Sequence, residues 1–174
     1  MMLDWTHAVT DVGAKGVEVE RTATAAECNE VAAAMGVLGC NAINVSYRIA
    51  PIGKSRFRTR GTLEAELVQA CVVSLDPIDE VISTGFEVEF RPADQFRVEA
   101  EVEIDAHDAE DPEPIADGRI EIGRVIFELI SSHASDFPRK PGEELECTEA
   151  VGGAQPESPG PFAKLADLKS DNQN

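Results

Sequence analysis

KSRFRTRGTLEAELVQACVVSLDP, residues 54–77, decides how the rest of the chain is read. From Phe57 every second residue is small or apolar: Phe57, Thr59, Gly61, Leu63, Ala65, Leu67, Gln69, Cys71, Val73 and Leu75. Side chains of a strand point alternately to opposite faces, so this set forms one buried face. The other set opens with Arg56, Arg58 and Arg60, continues with Glu64 and Glu66, and turns apolar at Val68, Ala70 and Val72. The pattern predicts a long strand bent at Gly61, half-exposed at its start and buried on both faces near its end. Proline at Pro77 removes a ladder donor, so the strand is expected to stop at Asp76-Pro77.

Upstream, Ile43, Val45, Tyr47 and Ile49 alternate and predict a neighbouring strand ending at Pro51. The short Gly-containing segment 51–55 then joins the two as a hairpin. Before it, Thr24 and Glu27 have the spacing of a capping box, ahead of an alanine-rich helix at 25–35 that ends at Gly36. The N-terminal residues 5–12 and 17–20 read as two short strands around a turn at Gly13 to Gly16, a second hairpin.

Downstream, Phe86, Val88 and Phe90 point inward between Glu87 and Glu89, in a strand stopping at Pro92. Residues 78–83 either extend that strand or form a turn. Val98, Ala100, Val102 and Ile104 alternate with Glu99, Glu101 and Glu103; a row of like charges suits an edge strand or an unpaired arm. No lysine or arginine occurs from Glu99 to Asp117. This acidic centre is either a solvated loop or a strip, including Asp108, that docks a basic partner. Ile122, Val125, Ile126, Leu129, Ile130 and His133 fall on one face of a second helix over 122–134, wide enough to cover a sheet. A proline-fixed basic loop with Arg139 and Lys140 follows.

The fold class is therefore α+β: a curved antiparallel sheet, open or barrel-like, with two packed helices and a disordered C-terminal tail. The domain spans 1–145, a Gly-, Pro- and Ser-rich linker 146–160, and a tail 161–174 in which Phe162, Leu165 and Leu168 share one side of a short helix. That helix docks on its own domain or on another molecule.

A chain of 174 residues with 43% hydrophobic content is long enough to build a core without disulfides. The four cysteines are widely spaced without a CxxC pair, so neither a disulfide framework nor a zinc ribbon is indicated. No targeting segment or membrane span is read, and a cytoplasmic setting is expected. The net charge of −18 repels phosphate over most of the surface and attracts basic partners, or serves only solubility. No catalytic, cofactor or metal site is expected: His7, His107 and His133 lie in unrelated contexts, and no nucleophile elbow, zinc motif or phosphate loop is present. His133 reads as a helix-end residue and Cys71 as a buried, inert thiol.

Arg56, Arg58 and Arg60 are the better signal. They recur at about 6.5 Å along one strand face, near the spacing of successive phosphates, and each guanidinium can fork onto phosphate oxygens. The competing reading is a charged guard on an exposed strand, or pairing with the glutamate rows. Phe57 points the other way, so no aromatic shares their face to stack bases.

The order of motifs goes further. GTLEAELVQACVVSLDP, then DPEPIADGRIEIG leading into a helix, then DFPRKPG and a terminal PFAKLADLK resemble the YceD family, the large ribosomal RNA subunit accumulation proteins. CVVSLDP with PRKPG looks like its alphaproteobacterial branch. The resemblance implies a bacterial, non-enzymatic factor for accumulation or processing of large-subunit ribosomal RNA. Partners would be that RNA, met by Arg56, Arg58, Arg60, Arg139 and Lys140, and a basic ribosomal protein. Many relatives carry C-x-x-C where this chain has Cys71 and Ser74, so a metal site there would lack a ligand. An acidic adaptor unrelated to the ribosome is the alternative.

Overall fold

The computed structural model describes residues 3–53, 55–95 and 112–142. The expected strand at 98–104, the linker and the terminal helix lie outside these residues. So do the candidate contacts Glu99, Glu101, Glu103, Asp108, Phe162, Leu165 and Leu168.

Two fifteen-residue strands, β3 (Gly39–Gly53) and β4 (Arg56–Ala70), form the predicted hairpin. Ser55 turns it with a positive φ of 59°. β5 (Pro77–Pro92) runs antiparallel along the whole of β4, so residues 78–83 continue the strand. β2 (Val17–Thr22) adds to the other side of β3. Outside β5, β6 (Glu113–Ile115) pairs in parallel, giving a sheet ordered β2-β3-β4-β5-β6. Four strands are antiparallel as expected. The parallel fifth makes the sheet mixed, and among the described residues it does not close into a barrel.

The alternation along β4 fixes which face is inside. Phe57, Thr59, Leu63, Ala65 and Leu67 are buried, and Ile43, Val45, Tyr47 and Ile49 of β3 join them. Each fully buried Leu or Ile contributes about 1.5–3 kcal/mol relative to exposure. Gly61 belongs to this phase because a Cβ there would run into the Ser46 carbonyl and Tyr47 of β3.

Two helices close the inner face. α1 (Ala25–Met35) begins with the capping box: the Glu27 amide donates to Thr24 Oγ1 at 3.3 Å and the Thr24 amide donates to Glu27 Oε2 at 2.7 Å. Gly36, in the left-handed region at φ 70°, ends it. α2 (Ile122–His133) buries Ile122, Val125, Ile126 and Ile130 in the same core, while His133 stays exposed at its end. There His133 Nδ1 hydrogen-bonds the Leu129 carbonyl at 2.9 Å, and its Nε2 lies 3.2 Å from Thr84 Oγ1. A small second sheet, β1 (Thr6–Ala8) with β7 (Arg119–Glu121), leads into α2. Gly123 donates its amide to the Trp5 carbonyl at 3.0 Å, so close that a Cβ on it would overlap the Leu3 backbone.

Three local expectations are corrected. The N-terminal hairpin does not form: β1 pairs with β7 and β2 with β3, whose Tyr47 and Ile49 lie opposite Val19 and Val17 in the matching phase. β4 ends at Ala70 rather than Asp76. Residues 71–76 instead fold into a turn held by the Cys71 amide on the Asp76 carbonyl (2.8 Å) and the Leu75 amide on the Cys71 carbonyl (2.9 Å). Nor does burial extend to both faces near the strand's end. Val68 and Ala70 are half-buried, Val72 is exposed, and Leu75 is 76% exposed because the turn directs it outward.

Candidate functional site

Strand alternation places the other phase of β2 to β5 on a second face, and no helix of the described residues packs there. Register sets its charges in rows. Glu18, Arg48, Arg60 and Glu87 lie side by side across four strands. The next rows are Glu20, Ser46, Thr62 and Gly85, then Thr22, Asn44, Glu64 and Ser83, then Ala42, Glu66 and Val81. On the other side of the arginine row, Arg58 lies opposite Glu89. The face therefore has an arginine end and a glutamate end, with small polar side chains between.

At the arginine end the three predicted arginines pair across strands with the glutamates of β5. Arg60 forks onto Glu87, Nε to Oε2 at 2.7 Å and Nη2 to Oε1 at 2.9 Å. Arg58 reaches Glu87 at 3.1 Å and Glu89 at 3.8 Å. Arg56 and Arg91 meet Glu89 Oε1 at 3.3 Å and 2.7 Å. Four guanidinium groups thus share two carboxylates. The hydrogen bonds from Arg60, and then its charge and that of Arg58, hold Glu87 below the usual carboxylate range. Reciprocally, Glu87 raises Arg60.

Arg48 was not singled out by sequence, yet its Cα is the register partner of Arg60. Like charges directly opposite on neighbouring strands repel, and each of the two leans to its own acid. Arg48 donates to Glu18 Oε1 at 2.7 Å and to the Lys15 carbonyl at 2.6 Å. An open groove of about 560 Å³ lies there, lined by Arg48, Arg60, Ser46 and Thr62 with Glu18 and Glu20 along its β2 side.

The glutamate end behaves differently. Glu20, Glu64, Glu66 and Asp79 are exposed and form no ion pair among the described residues.

Arg139 and Lys140 do not join the arginine row. Their loop is tied to the far end of β4, where the Val72 amide donates to the Pro138 carbonyl (2.9 Å) and Lys140 Nζ meets Asp76 at 2.5 Å. Twelve residues of strand separate Arg58 from Ala70 there, a rise of roughly 40 Å.

His7 and the described cysteines take no part in the charged rows of this face. His7 shares a 2.7 Å hydrogen bond with the Tyr47 hydroxyl, and burial, then Arg21, lower its pKa. Cys28, Cys40 and Cys71 are free thiols. Burial, then the neighbouring Cys28, push Cys40 up to about 12. Among the described residues no three His, Cys, Asp or Glu side chains gather as metal ligands, and no helix is long and apolar enough to cross a membrane.

A family model described as "Large ribosomal RNA subunit accumulation protein YceD" matches residues 59–169, from β4 through α2 and beyond. No curated protein and no solved structure matches the chain.

Proposed function

Because the chain belongs to the YceD family of large ribosomal RNA subunit accumulation proteins, we propose that it supports the accumulation and processing of large-subunit ribosomal RNA as a cytoplasmic binding factor, without catalysis of its own. Its acidic surface holds a basic ribosomal protein, and the arginine end of the uncovered sheet face meets ribosomal RNA. The observation that carries this reading is the division of charge on one exposed face. A protein with a net charge of −18 repels nucleic acid over most of its surface, so RNA is admitted only where cations are gathered. The unpaired acids Glu20, Glu64, Glu66 and Asp79 suit lysine and arginine side chains of a ribosomal protein. The acidic stretch with Glu99, Glu101, Glu103 and Asp108, and the terminal residues Phe162, Leu165 and Leu168, extend the proposed protein-binding set.

Sedimentation of cell extract in low salt tests this directly. The chain is expected with large-subunit precursors, and its deletion is expected to reduce mature large-subunit RNA. Absence from every ribosomal fraction, with normal precursor RNA in the deletion strain, contradicts the proposal. Capture of a nonribosomal partner that depends on residues after Cys147 would instead favour an adaptor unrelated to the ribosome.

A further inference from the structure

We infer that the groove between Arg48 and Arg60, continued along β4 by Arg58 and Arg56, is a track for the phosphate backbone of single-stranded RNA, with Glu87 and Glu89 as resident competitors for the guanidinium groups. The inference rests on the ribosomal RNA reading above and names the RNA chemistry it would take. Three features carry it.

The first is the gathering of cations. Arg48, Arg56, Arg58 and Arg60 stand together on one face of a strongly negative molecule, where Glu18, Glu87 and Glu89 are their ion-pair partners among the described residues. A phosphate entering between Arg48 and Arg60 relieves the repulsion that their register imposes. It also finds Ser46 and Thr62, whose hydroxyls can donate, on the groove wall.

The second is geometry. Arginines two residues apart on a strand repeat every 6.5 Å or so, which suits successive phosphates on one strand. Glu18 and Glu20 line the β2 side, and Glu64 lies beyond Thr62. The path for an anion therefore runs along β4 toward Arg56.

The third is the absence of stacking partners on this face among the described residues: Phe57 and Tyr47 are buried in the opposite phase. Recognition is accordingly of backbone rather than sequence. Of the two carboxylates on β5 that hold the arginines, Glu87 is 42% exposed and Glu89 19%. Bound phosphate would displace Glu87 first, keeping the guanidinium groups of Arg58 and Arg60 paired.

The test uses the purified full chain and fluorescence anisotropy with an oligoribonucleotide from the large-subunit RNA precursor, single-stranded or annealed to its complement. Wild type is expected to bind the single strand with a log-log salt slope of about −2, corresponding to three phosphates. R48A/R60A should weaken binding roughly tenfold and flatten the slope, with an unchanged circular dichroism spectrum. E87Q/E89Q should tighten it about threefold or more by removing the competitors. Equal binding by wild type and R48A/R60A, equal preference for duplex, or weaker binding by E87Q/E89Q overturns the inference. If wild type binds no RNA yet sediments with large-subunit precursors, the track is wrong and the ribosomal reading stands. If it sediments with no ribosomal particle, the ribosomal reading falls whatever the oligonucleotide does.

Discussion

The two faces of β4 differ in what their residues answer to. On the inner face Phe57, Thr59, Leu63, Ala65 and Leu67 are buried against β3, β5 and the helices, and each is constrained by volume. On the outer face, one residue away in sequence, Arg58 and Arg60 are 40% and 64% exposed and constrained only by charge. Exposed ion pairs contribute little to stability, whereas filling or emptying a packed core costs several kcal/mol. One strand therefore carries the fold on one side and leaves the other available for binding.

The comparison is broken most severely at Gly61, which belongs to the inner face. Gly61→Ala places a Cβ against backbone atoms of Ser46 and Tyr47 and should destabilise the domain by about 3 kcal/mol, measured by urea unfolding. A stability equal to wild type would show that the hairpin is looser than its geometry indicates. On the outer face R48A/R60A should leave the unfolding midpoint nearly unchanged while RNA affinity falls about tenfold. A large loss of stability there would erase the distinction between the faces.

A sharper test lies within the inner face. Thr59 is fully buried and its hydroxyl has no hydrogen-bond partner among the described residues. Thr59→Val keeps the shape and removes the unpaired polar group, so it should stabilise by about 1 kcal/mol. At the edge of the core, Thr24→Ala removes the α1 cap and should cost about 1 kcal/mol, read from the same unfolding curve.

The smallest effect is acid sensitivity. His7 has its pKa lowered below the ordinary 6.5 by burial first and Arg21 second. The unfolded chain therefore takes up a proton more readily than the folded one. This contribution to stability is complete above pH 6.5 and is lost as pH falls through the lower folded value. Urea midpoints at about pH 7.5 and 5.5 should differ less in His7→Asn than in wild type.

The inner face was legible because strand alternation and the capping box are local signals. β3, β4, α1 and α2 follow from period and caps alone. The pairing of β1 with β7 was not, because three-residue strands separated by more than a hundred residues leave no periodic trace. The end of β4 is not legible because Cys71, Val72, Val73 and Leu75 continue an apolar pattern, while backbone hydrogen bonds and the positive φ of Leu75 (63°) fold them into a turn. At the site, Arg56, Arg58 and Arg60 stand out as a row. Arg48 emerges only from register: a turn centred on residues 51–55 would set it opposite Arg58, and the observed hairpin sets it opposite Arg60. The glutamates that pair with the row sit in the outward phase of β5, which the Phe86, Val88 and Phe90 alternation had already marked.

Ultraviolet crosslinking of the protein to RNA in cell extract, with the crosslinked peptides identified by mass spectrometry, tests the division of labour between the faces most directly. Crosslinks to large-subunit ribosomal RNA confined to peptides of β3 and β4 around Arg48 and Arg60 are the predicted result. Reproducible crosslinks to that RNA only at the Arg139 and Lys140 loop, or none to ribosomal RNA, would contradict it.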